Sequence, residues 1–404
     1  MDAKKLMILG GSRYILPVIK TAHELGLYVI TCDYLPHNVA HQYSDYYCNV
    51  SIIDKETVLK KCEELRIDGI ISFACDPGVV TAAYVAEKMN LPFQGSYEAV
   101  SLLQNKRRFR EYLKHHGFAV PNAKGYRDIE QALKEYKMFR WPIIVKPTDS
   151  AGSKGVRRVD NYEELEAAIN NALIFSHENE FIIEEYIETF GYPSDSDVFL
   201  VDGELEYISF SSQLFDSSAK NPFVPAAFSW PSQMEQPTQK HFVLELQRLF
   251  NLLELKTGIF NIEVRKGIDG KAYIMECSPR GGGNRIAECL KYATGVELIE
   301  NTVRAAVNFD LLGFEKKMHD DYWLEVILHS VEEGLYDGLW IDRSIQEYLV
   351  EEDVWVQKGD MIKSFLGANN TIGTLIFCFD DLEKMNELQK NINKFIKVML
   401  KTVD

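Results

Sequence analysis

Short apolar runs alternate with amphipathic stretches along the first hundred residues. The apolar runs at 4–10, 28–32 and 69–73 have the length of buried strands, and the stretches between them have a helical period. Strands that alternate with helices indicate a parallel sheet, because each crossover needs a helix to return the chain to the same edge. We therefore expect an α/β domain over residues 1–97, with helices at 14–25, 55–65 and 79–89.

The next periodic segment, residues 101–118, predicts one amphipathic helix with the densest positive charge of the chain. A β-run over 142–147 then ends in Lys146-Pro147, and a loop of small residues follows before a second β-run begins at Val156. A lysine at a strand end, facing the backbone N–H groups of a flexible loop, suits phosphate binding. The loop does not have the Walker spacing, so by itself it does not identify a nucleotide site.

Residues 259–285 predict a β-hairpin, because two apolar-alternating runs flank a Gly267–Gly270 turn. If Lys266 pairs with Lys271, Glu263 lies opposite Ile274 and becomes a diagonal neighbour of Glu276 on one face. Two convergent carboxylates would suit a divalent cation, and the alternative is a solvated acidic face. A one-residue bulge would put the two glutamates on opposite faces.

The remaining segments complete the predicted domain organisation. Residues 211–239 are rich in proline and serine, which is typical of an ordered binding loop or a disordered lid. Helices are expected at 238–252 and 286–308, and a further helix at 381–400 follows a series of strands that begins near residue 320. The prediction is a small β-rich α+β domain at 316–404 behind a central domain at 98–315, whose lid subdomain covers about 122–188.

The composition is that of an ordinary globular protein, with 46% hydrophobic and 26% charged residues. A net charge of −16 argues against nucleic acid as a partner, since nucleic-acid binding needs a basic stripe. The seven cysteines show no C-x-x-C spacing, which favours reduced thiols in the cytoplasm. No signal peptide and no apolar run near ~20 residues is present, so no membrane partner is expected.

Five sequence pieces occur in one order: Lys106 in its helix, Lys146 in VKP before the small-residue loop, EEYI from Glu184, NIEV with Glu263, and ECSPRGGG from Glu276. Together they resemble the ATP-grasp superfamily, in particular its carbamoyl-phosphate-synthase-like and L-amino-acid-ligase-like members. The resemblance covers about residues 1–310, and the C-terminal region is similar to the small β-rich domain of the amino-acid ligases. It implies an ATP-grasp fold preceded by a Rossmann-like (pre-ATP-grasp) domain.

The resemblance implies a nucleotide site made of several segments. Lys106 and Lys146 would contact the ATP phosphates, and the loop 149–155 would close over the β- and γ-phosphates. The adenine would lie at Glu184, Glu185 and Ile187. The ribose-binding acid is Asp195 or Asp197, and the sequence does not choose between them. The loop residues assigned to ATP binding are Ser150, Gly152, Ser153 and Gly155.

The resemblance also implies a metal, catalytic residues and a substrate segment. Glu263 and Glu276 would hold Mg²⁺ or Mn²⁺ with Ser278, which stands where the family usually has asparagine. Arg280 would stabilise charge on the transferred phosphate and the acyl group. Arg285 would clamp a substrate carboxylate, with a structural ion pair as the alternative. The other catalytic residues are Lys146 and Lys154, and the substrate segment comprises Arg280, Gly282, Gly283, Asn284 and Arg285.

The function implied is an ADP-forming carboxylate–amine ligase that makes an amide or peptide bond through an acyl phosphate. The expected partners are a small-molecule carboxylate and an amine, with amino acids among the candidates, and a homodimer is left open. One alternative is another carboxylate activation, with a formate- or carboxylation-type acceptor, to which the serine at position 278 points. The other is a nucleotide-binding regulator without catalysis.

Overall fold

The computed structural model describes residues 3–317 and 321–401, so predictions that fall on residues 318–320 and 402–404 lie outside the described ranges. The N-terminal part is a four-stranded parallel sheet with strand order β3-β2-β1-β4, as the alternation of strands and helices predicted. Its elements are β1 Lys5–Leu9, α1 Leu16–Glu24, β2 Tyr28–Cys32, β3 Tyr46–Cys48, α2 Lys55–Leu65, β4 Gly69–Ser72 and α3 Asp76–Met89.

Both faces of this sheet are buried, which is why β1 is apolar throughout. Leu6 and Ile8 pack into one cluster with α1 and residues near 303–306, whereas Met7 and Leu9 pack into a second cluster with α2 and α3. The first cluster also contains residues of the central domain, so the N-terminal sheet is fixed against it.

The helix predicted at 101–118 is two helices that meet at Asn105. Asn105 accepts a hydrogen bond from the backbone N–H of Arg108 at 3.0 Å and caps the second helix, which places Lys106 in its first position. The lid subdomain that follows has strand order β5-β8-β6-β7. The elements are α4 Tyr97–Gln104, α5 Lys106–His115, β5 Ala123–Tyr126, α6 Ile129–Glu135, β6 Ile143–Pro147, β7 Arg157–Val159, α7 Leu165–Ile174 and β8 Phe181–Glu185.

The central domain is built on an antiparallel sheet with strand order β10-β9-β13-β14. The predicted helix at 286–308 is broken at Gly295, whose φ of +75° suits glycine at a helix C-terminus. The elements are β9 Ser194–Val201, β10 Glu204–Ile208, α8 Gln236–Leu252, β13 Gly258–Lys266, β14 Ala272–Ser278, α9 Ile286–Thr294 and α10 Leu298–Ala306.

The predicted register of the β13–β14 hairpin is wrong in two places, and the two shifts add up to two residues. Lys266 pairs with Ala272, one residue further along than predicted, and a bulge between Glu276 and Ile274 adds a second residue. Because side chains alternate at period two, the two shifts restore the predicted face. Glu263 and Glu276 are therefore directly opposite each other, not diagonal neighbours.

The C-terminal region forms a five-stranded sheet, order β11-β12-β15-β19-β17, and a three-stranded sheet, order β18-β16-β20. Residues 211–239 were predicted as a loop or lid, but they supply two strands to the larger sheet. The helix predicted at 381–400 is confirmed over 382–390 and 392–395, but residues 396–401 form a strand that pairs with β16. The elements are β11 Ser212–Phe215, β12 Pro225–Trp230, β15 Tyr322–Leu328, β16 Gly334–Ile341, β17 Leu349–Val354, β18 Met361–Ile362, β19 Gly373–Phe379, α11 Leu382–Lys390, α12 Ile392–Phe395 and β20 Ile396–Lys401.

Among the described residues, no helix has the length and apolar character needed to cross a bilayer.

Candidate active site

Six polar side chains share one face of the central sheet, in two rows across β9, β13 and β14. The register aligns Asp195, Glu263 and Glu276 in one row, and Asp197, Asn261 and Ser278 in the next. The Asn261 amide donates to Asp195 Oδ1 at 2.8 Å and to Asp197 Oδ1 at 3.1 Å. Burial and the neighbouring Glu263 raise the pKa of Asp195 to about 8, and burial raises that of Asp197 to about 7.

Glu263 and Glu276 keep part of their surface accessible, as the predicted metal ligands must. Their side chains are 24% and 30% exposed, and the Ser278 hydroxyl donates to Glu276 at 3.1 Å. Arg265 holds Glu263 through its Nε at 3.1 Å. The residues described contain no group of three or more His, Cys, Asp or Glu residues placed to hold a metal ion. A carboxylate pair fits Mg²⁺ that completes its coordination with water and substrate phosphates, since Mg²⁺ is usually bound in this way.

Three cations, Lys106, Lys146 and Arg280, act on Glu276 in a chain that is acidic overall. Lys106 Nζ lies 3.9 Å from Glu276, and Lys146 Nζ lies 2.7 Å from Glu184. Burial alone would raise the pKa of Glu276, but the charges of Lys106, Arg280 and Lys146 lower it. This part of the cleft is therefore suited to an anion such as a polyphosphate.

Glu184 is the centre of a buried ion-pair network that holds Lys146 in place. Its carboxylate lies 2.8 Å from Arg110 Nε, and Arg110 donates through its other end to the carbonyl of Met275 at 2.8 Å. Burial would raise the pKa of Glu184, but Arg110 and Lys146 lower it to about 2. The sequence indicated the positive charge of this helix but not this function of Arg110, because its partners are far away in the chain.

We expect Arg110→Met to destabilise the protein by about 3 kcal/mol, because the change leaves buried Glu184 without one of its two cations. Urea denaturation followed by circular dichroism measures the effect. Arg108→Met in the same helix is the matched control, since Arg108 pairs with the exposed Glu98 and such pairs contribute less than about 1 kcal/mol. Equal losses for the two variants would contradict the network.

The loop 149–155, predicted to close over the phosphates, contains three residues with left-handed backbone. Gly152, Ser153 and Gly155 all have φ between +58° and +72°. In the described part of the chain, no backbone N–H of residues 150–155 donates to a protein acceptor, and the Ser150 carbonyl accepts from Lys106 Nζ at 2.7 Å. The loop is in contact with two distant segments, since Ser153 Oγ donates to the Phe223 carbonyl at 2.8 Å and Lys154 packs beside Gly367.

The residues predicted around adenine occupy different environments. Glu184 is enclosed, as described above, whereas Glu185 accepts a hydrogen bond from the Arg140 backbone N–H at 2.9 Å. Ile187 is half-buried beyond the end of β8. Asp197 is 0% exposed and accepts from the Gly282 backbone N–H at 2.8 Å, which favours Asp195 over Asp197 for the predicted ribose contact.

Arg280 is fixed by a residue of the N-terminal domain that the sequence did not assign to the site. Asp76, the first residue of α3, accepts from Arg280 Nε at 2.9 Å and from a terminal nitrogen at 2.8 Å. The Ser278 hydroxyl lies 3.2 Å from the same carboxylate, and Gln104 donates to that hydroxyl at 3.1 Å. Spacing along the chain does not indicate this contact, because 204 positions separate Asp76 from Arg280.

In the segment after Arg280, one glycine is closely packed and the next has open space beside it. A Cβ on Gly282 would meet Asn261 at 2.8 Å, whereas a Cβ on Gly283 would meet nothing within 4 Å. Asn284 accepts from the Tyr14 hydroxyl at 3.2 Å. These contacts leave Gly283 as the predicted substrate residue with free space beside it.

Arg285 forms the structural ion pair that the sequence left as an alternative to a substrate clamp. It donates to Glu288 on its own helix, to Glu351 on β17 at 2.7 Å, and to Thr374 at 3.1 Å. Each of its three side-chain nitrogens donates to a protein acceptor, and two of its partners are carboxylates. The carboxylate clamp predicted for Arg285 is therefore not supported.

Glu325 on β15 is a buried acid that the sequence did not single out. It is 1% exposed, and burial raises its pKa to about 8, with Glu288 and Asp195 also raising it and Arg285 and the Cys289 thiol lowering it. The sequence of its strand is that of an ordinary β-strand, so nothing in it indicated that Glu325 is buried.

The raised pKa of Glu325 predicts a loss of stability with rising pH. The folded state keeps the proton up to about pH 8, whereas the unfolded chain loses it near 4.5, so the folded form binds more protons between these values. We expect Glu325→Gln to reduce the loss of unfolding free energy between pH 5 and 8 by roughly 3 kcal/mol. Urea titrations at both pH values measure this, and an unchanged slope would contradict the assignment.

A separate groove of about 780 Å³ lies away from these residues. It is bounded by Trp230, Trp323, Lys240 and Lys316 and includes none of the predicted site residues. We place the chemistry in the polar cleft because the predicted ligands of ATP and metal come together there.

Comparison with known proteins shows similarity to one domain family and to several enzymes. The ATP-grasp domain family matches residues 139–288. The carbamoyl phosphate synthase large chain of Clostridium beijerinckii is 24% identical over 292 residues, which are 70% of this chain and 26% of that protein. The chain thus spans about a quarter of the length of that curated relative.

Two solved structures are similar over the whole chain. The L-amino acid ligase from Bacillus licheniformis has a TM-score of 0.80 at 18% identity, covering 100% of both chains. The phosphoribosylglycinamide synthetase from Anaerococcus prevotii has a TM-score of 0.76 at 22% identity, covering 99% of this chain and 100% of that one. At these identities the likeness establishes the fold.

Proposed function

We propose that this chain, a member of the ATP-grasp superfamily as its sequence resemblance predicted, is an ATP-dependent carboxylate–amine ligase. The reaction joins a carboxylic acid to an amine through an acyl phosphate and releases ADP and phosphate. The observation that carries the proposal is the arrangement of one cleft, in which two opposed glutamates face a set of cations and a loop with free backbone N–H groups.

ATP binding is supported by the charges and donors on the lid side of the cleft. Lys106 and Lys146 supply point charges, and the loop 149–155 supplies backbone N–H donors for phosphate oxygens. Lys154, Ser150 and Ser153 belong to the same loop. We assign the adenine to the segment at Glu184, Glu185 and Ile187, in which Glu184 is part of the buried ion pair and Glu185 and Ile187 are half-buried.

Mg²⁺ or Mn²⁺ fits Glu263, Glu276 and Ser278, because these side chains offer hard oxygen ligands on one face. A bound divalent cation neutralises phosphate charge that otherwise repels an approaching carboxylate. Arg265 would have to release Glu263 for that purpose. Serine at position 278 is shorter than the usual asparagine, and its hydroxyl already reaches Glu276.

Arg280 is suited to stabilise the negative charge that develops during transfer. Asp76 accepts two hydrogen bonds from one edge of the guanidinium and the Gly281 carbonyl accepts one from the other terminal nitrogen, so the position of Arg280 is set before substrate arrives. The carboxylate oxygen attacks the γ-phosphorus and ADP leaves. The amine then attacks the acyl carbon, and phosphate leaves with the proton lost by the amine.

The loop 149–155 can exclude water from the acyl phosphate. Ser153 contacts residue 223, and Asn221 donates to the carbonyls of both Ser153 and Leu366 at 3.0 Å. The loop is thereby joined to the C-terminal part of the chain above the cleft. A closed site of this kind protects an intermediate that water would hydrolyse.

The proposed substrates are small molecules, with amino acids as the first candidates for both the acid and the amine. A cytoplasmic location is a prediction from the sequence, whereas a homodimer is left open. Size-exclusion chromatography with light scattering would test the dimer independently of activity.

Phosphate release from ATP and Mg²⁺ tests the function directly. Pairs of the twenty amino acids are supplied together and singly, and the proposal predicts release that requires both an acid and an amine. Formate and bicarbonate are supplied as alternative reactants, and release with either but with no amino-acid pair would favour the other carboxylate activation. Absence of release with every acid would contradict the proposal.

A further inference from the structure

The groove of about 780 Å³, separate from the cleft that holds the predicted ATP and metal ligands, has the size of a small-molecule site. Trp230 on β12 and Trp323 on β15 line one side of it, and they are direct partners in the strand register. Phe210, in the connection between β10 and β11, adds a third aromatic ring. Small-molecule sites in proteins are concave, mostly apolar and about 300 to 1,000 Å³ in volume. The groove therefore has the dimensions and the lining of a site that the proposed reaction does not use.

One wall of the groove is the side of α8 that is turned away from its fully buried residues. Lys240, Val243 and Leu244 line the groove at the spacing of one helical turn, whereas Phe242 and Leu246 are 0% exposed in the core. Leu244 is 71% exposed. An apolar ligand in the groove would therefore cover apolar surface that is in contact with water, which favours binding.

The described residues around the groove carry more positive than negative charge, although the whole chain has a net charge of −16. Lys240, Lys316 and Lys317 line the groove, and Asp321 is the carboxylate among these described residues. Lys316 Nζ is anchored at the groove because it donates to the Ile208 carbonyl. An excess of positive charge beside an apolar lining attracts an anion that also has an apolar body.

The indole N–H groups of Trp230 and Trp323 have no acceptor among the described residues. Both nitrogen atoms are buried, and a buried donor without a partner calls for an acceptor. A carboxylate offers only acceptors, so it matches these donors as well as the lysine ammonium groups. Because the nitrogens are buried, a ligand oxygen reaches them only when the rings move, which predicts a change in tryptophan fluorescence on binding.

One helix separates the groove from the predicted catalytic centre. α9 begins at Ile286, directly after the substrate segment 280–285, and Ala293 and Thr294 at its other end line the groove. A helix of this length, 9 residues, spans about 13 Å. A ligand in the groove is therefore not the acid whose carboxylate would be activated near Arg280.

We propose that this groove is a second ligand site, which binds a carboxylate with an aromatic or branched apolar body. The apolar body would lie against Trp323, Val243 and Leu244, and the carboxylate would face Lys240 and Lys316. A carboxylate with one charge is preferred to a phosphate with two, because transfer of the second charge into a mainly apolar groove is costly. The site does not depend on the proposed ligase reaction.

Calorimetry on the whole protein with saturating Mg²⁺ and ADP tests this site without requiring turnover. The probes are 3-phenylpropionate, 4-phenylbutyrate and 4-methylpentanoate, each compared with its amide, and phenyl phosphate. We expect at least one carboxylate to bind with a dissociation constant below about 1 mM, about tenfold more tightly than its amide, and to change the tryptophan fluorescence. If no carboxylate binds more tightly than its amide, or if phenyl phosphate binds more tightly than all three, the proposal is wrong.

Three variants locate the bound carboxylate. Lys240→Gln is expected to weaken it about tenfold and to leave the amide unchanged, whereas Lys256→Gln, at an exposed lysine outside the groove, changes neither. Arg280→Met removes the arginine of the cleft and is expected to leave this binding unchanged. Unchanged affinity in a folded Lys240→Gln protein would overturn the site, and so would a loss in Arg280→Met alone, which would place the carboxylate in the cleft.

A second copy of the chain is the other occupant that the test has to distinguish. Size-exclusion chromatography with light scattering compares wild type with Leu244→Asp, and the ligand site predicts the same oligomeric state for both. A dimer that Leu244→Asp dissociates would make the groove an interface between copies and overturn the site. Carboxylate binding in the groove without phosphate release from any acid would remove the ligase function and leave this site, and the reverse pattern would do the opposite.

Discussion

Replacing Glu276 with glutamine is expected to lower ATP-dependent phosphate release by at least about 100-fold. Glutamine keeps the shape of the side chain but removes one of the two opposed carboxylates that fit the divalent cation. It also removes the anion that Lys106 faces at 3.9 Å. Steady-state phosphate release at saturating ATP measures the effect. Repeating the assay over a range of Mg²⁺ concentrations shows how much of the loss is a weaker affinity for the metal.

Asp269→Asn is the matched control for Glu276→Gln. Asp269 lies in the turn of the same hairpin, and its side chain is 43% exposed. We expect the control to retain wild-type turnover, because its contacts are with Tyr273 and Lys271, outside the cleft. Wild-type turnover in Glu276→Gln would show that the hairpin is an acidic face and not a metal site.

Arg280→Met is expected to lower the turnover number by about 100- to 1,000-fold and to change the affinity for Mg²⁺-ADP little. Methionine retains part of the length and removes the charge that is suited to stabilise the transferred phosphate. Asp76→Asn should produce a smaller loss, since it leaves the charge of Arg280 and removes part of the pair that fixes it. Turnover and calorimetric ADP affinity separate the two effects.

The double variant Asp76→Asn/Arg280→Met distinguishes positioning from an independent action of Asp76. If Asp76 acts only through Arg280, the double variant is no slower than Arg280→Met, because the two changes are not additive. Additive losses would show that Asp76 contributes to the reaction in another way. Urea denaturation of each variant excludes a loss of folded protein as the cause.

The side of the β13–β14 hairpin on which Glu263 and Glu276 lie could be predicted from the sequence, but the pairing of individual residues could not. Period-two alternation put Glu263 and Glu276 on one side, and they are on one side. The bulge and the displaced turn are set by packing and by contacts such as the bridge from the turn to residue 189, which alternation does not describe. The correct face resulted from two shifts of one residue each.

The sequence can indicate the end of a helix when a capping residue marks it. It cannot indicate a strand whose formation depends on pairing with a distant segment. Asn105 could have been read as the cap that divides residues 101–118, because asparagine is a favoured N-cap. Strand β20 could not have been predicted in this way. Its segment is rich in lysine and asparagine, as a surface helix is, but it pairs with β16, more than fifty residues away. The same holds for β11 and β12, which complete a sheet of the C-terminal region.

The residues that the resemblance could not supply are those that act between domains. Asp76 reaches Arg280 from the N-terminal domain, and Glu325 faces the central sheet from the C-terminal one. Arg285 is the opposite case. The resemblance assigned it to the substrate segment, but its side chain donates to Glu288 and Glu351. One-dimensional spacing carries no information about such contacts.

Oxygen transfer from the acid substrate to phosphate tests the central claim most directly. A carboxylic acid that supports phosphate release is labelled with ¹⁸O in both oxygens, and the released phosphate is examined by mass spectrometry. The account predicts one ¹⁸O atom in each phosphate, because the carboxylate oxygen that attacks the γ-phosphorus stays with it when the acyl carbon is transferred to the amine. Product formation with unlabelled phosphate would contradict an acyl phosphate and with it the proposed use of this cleft.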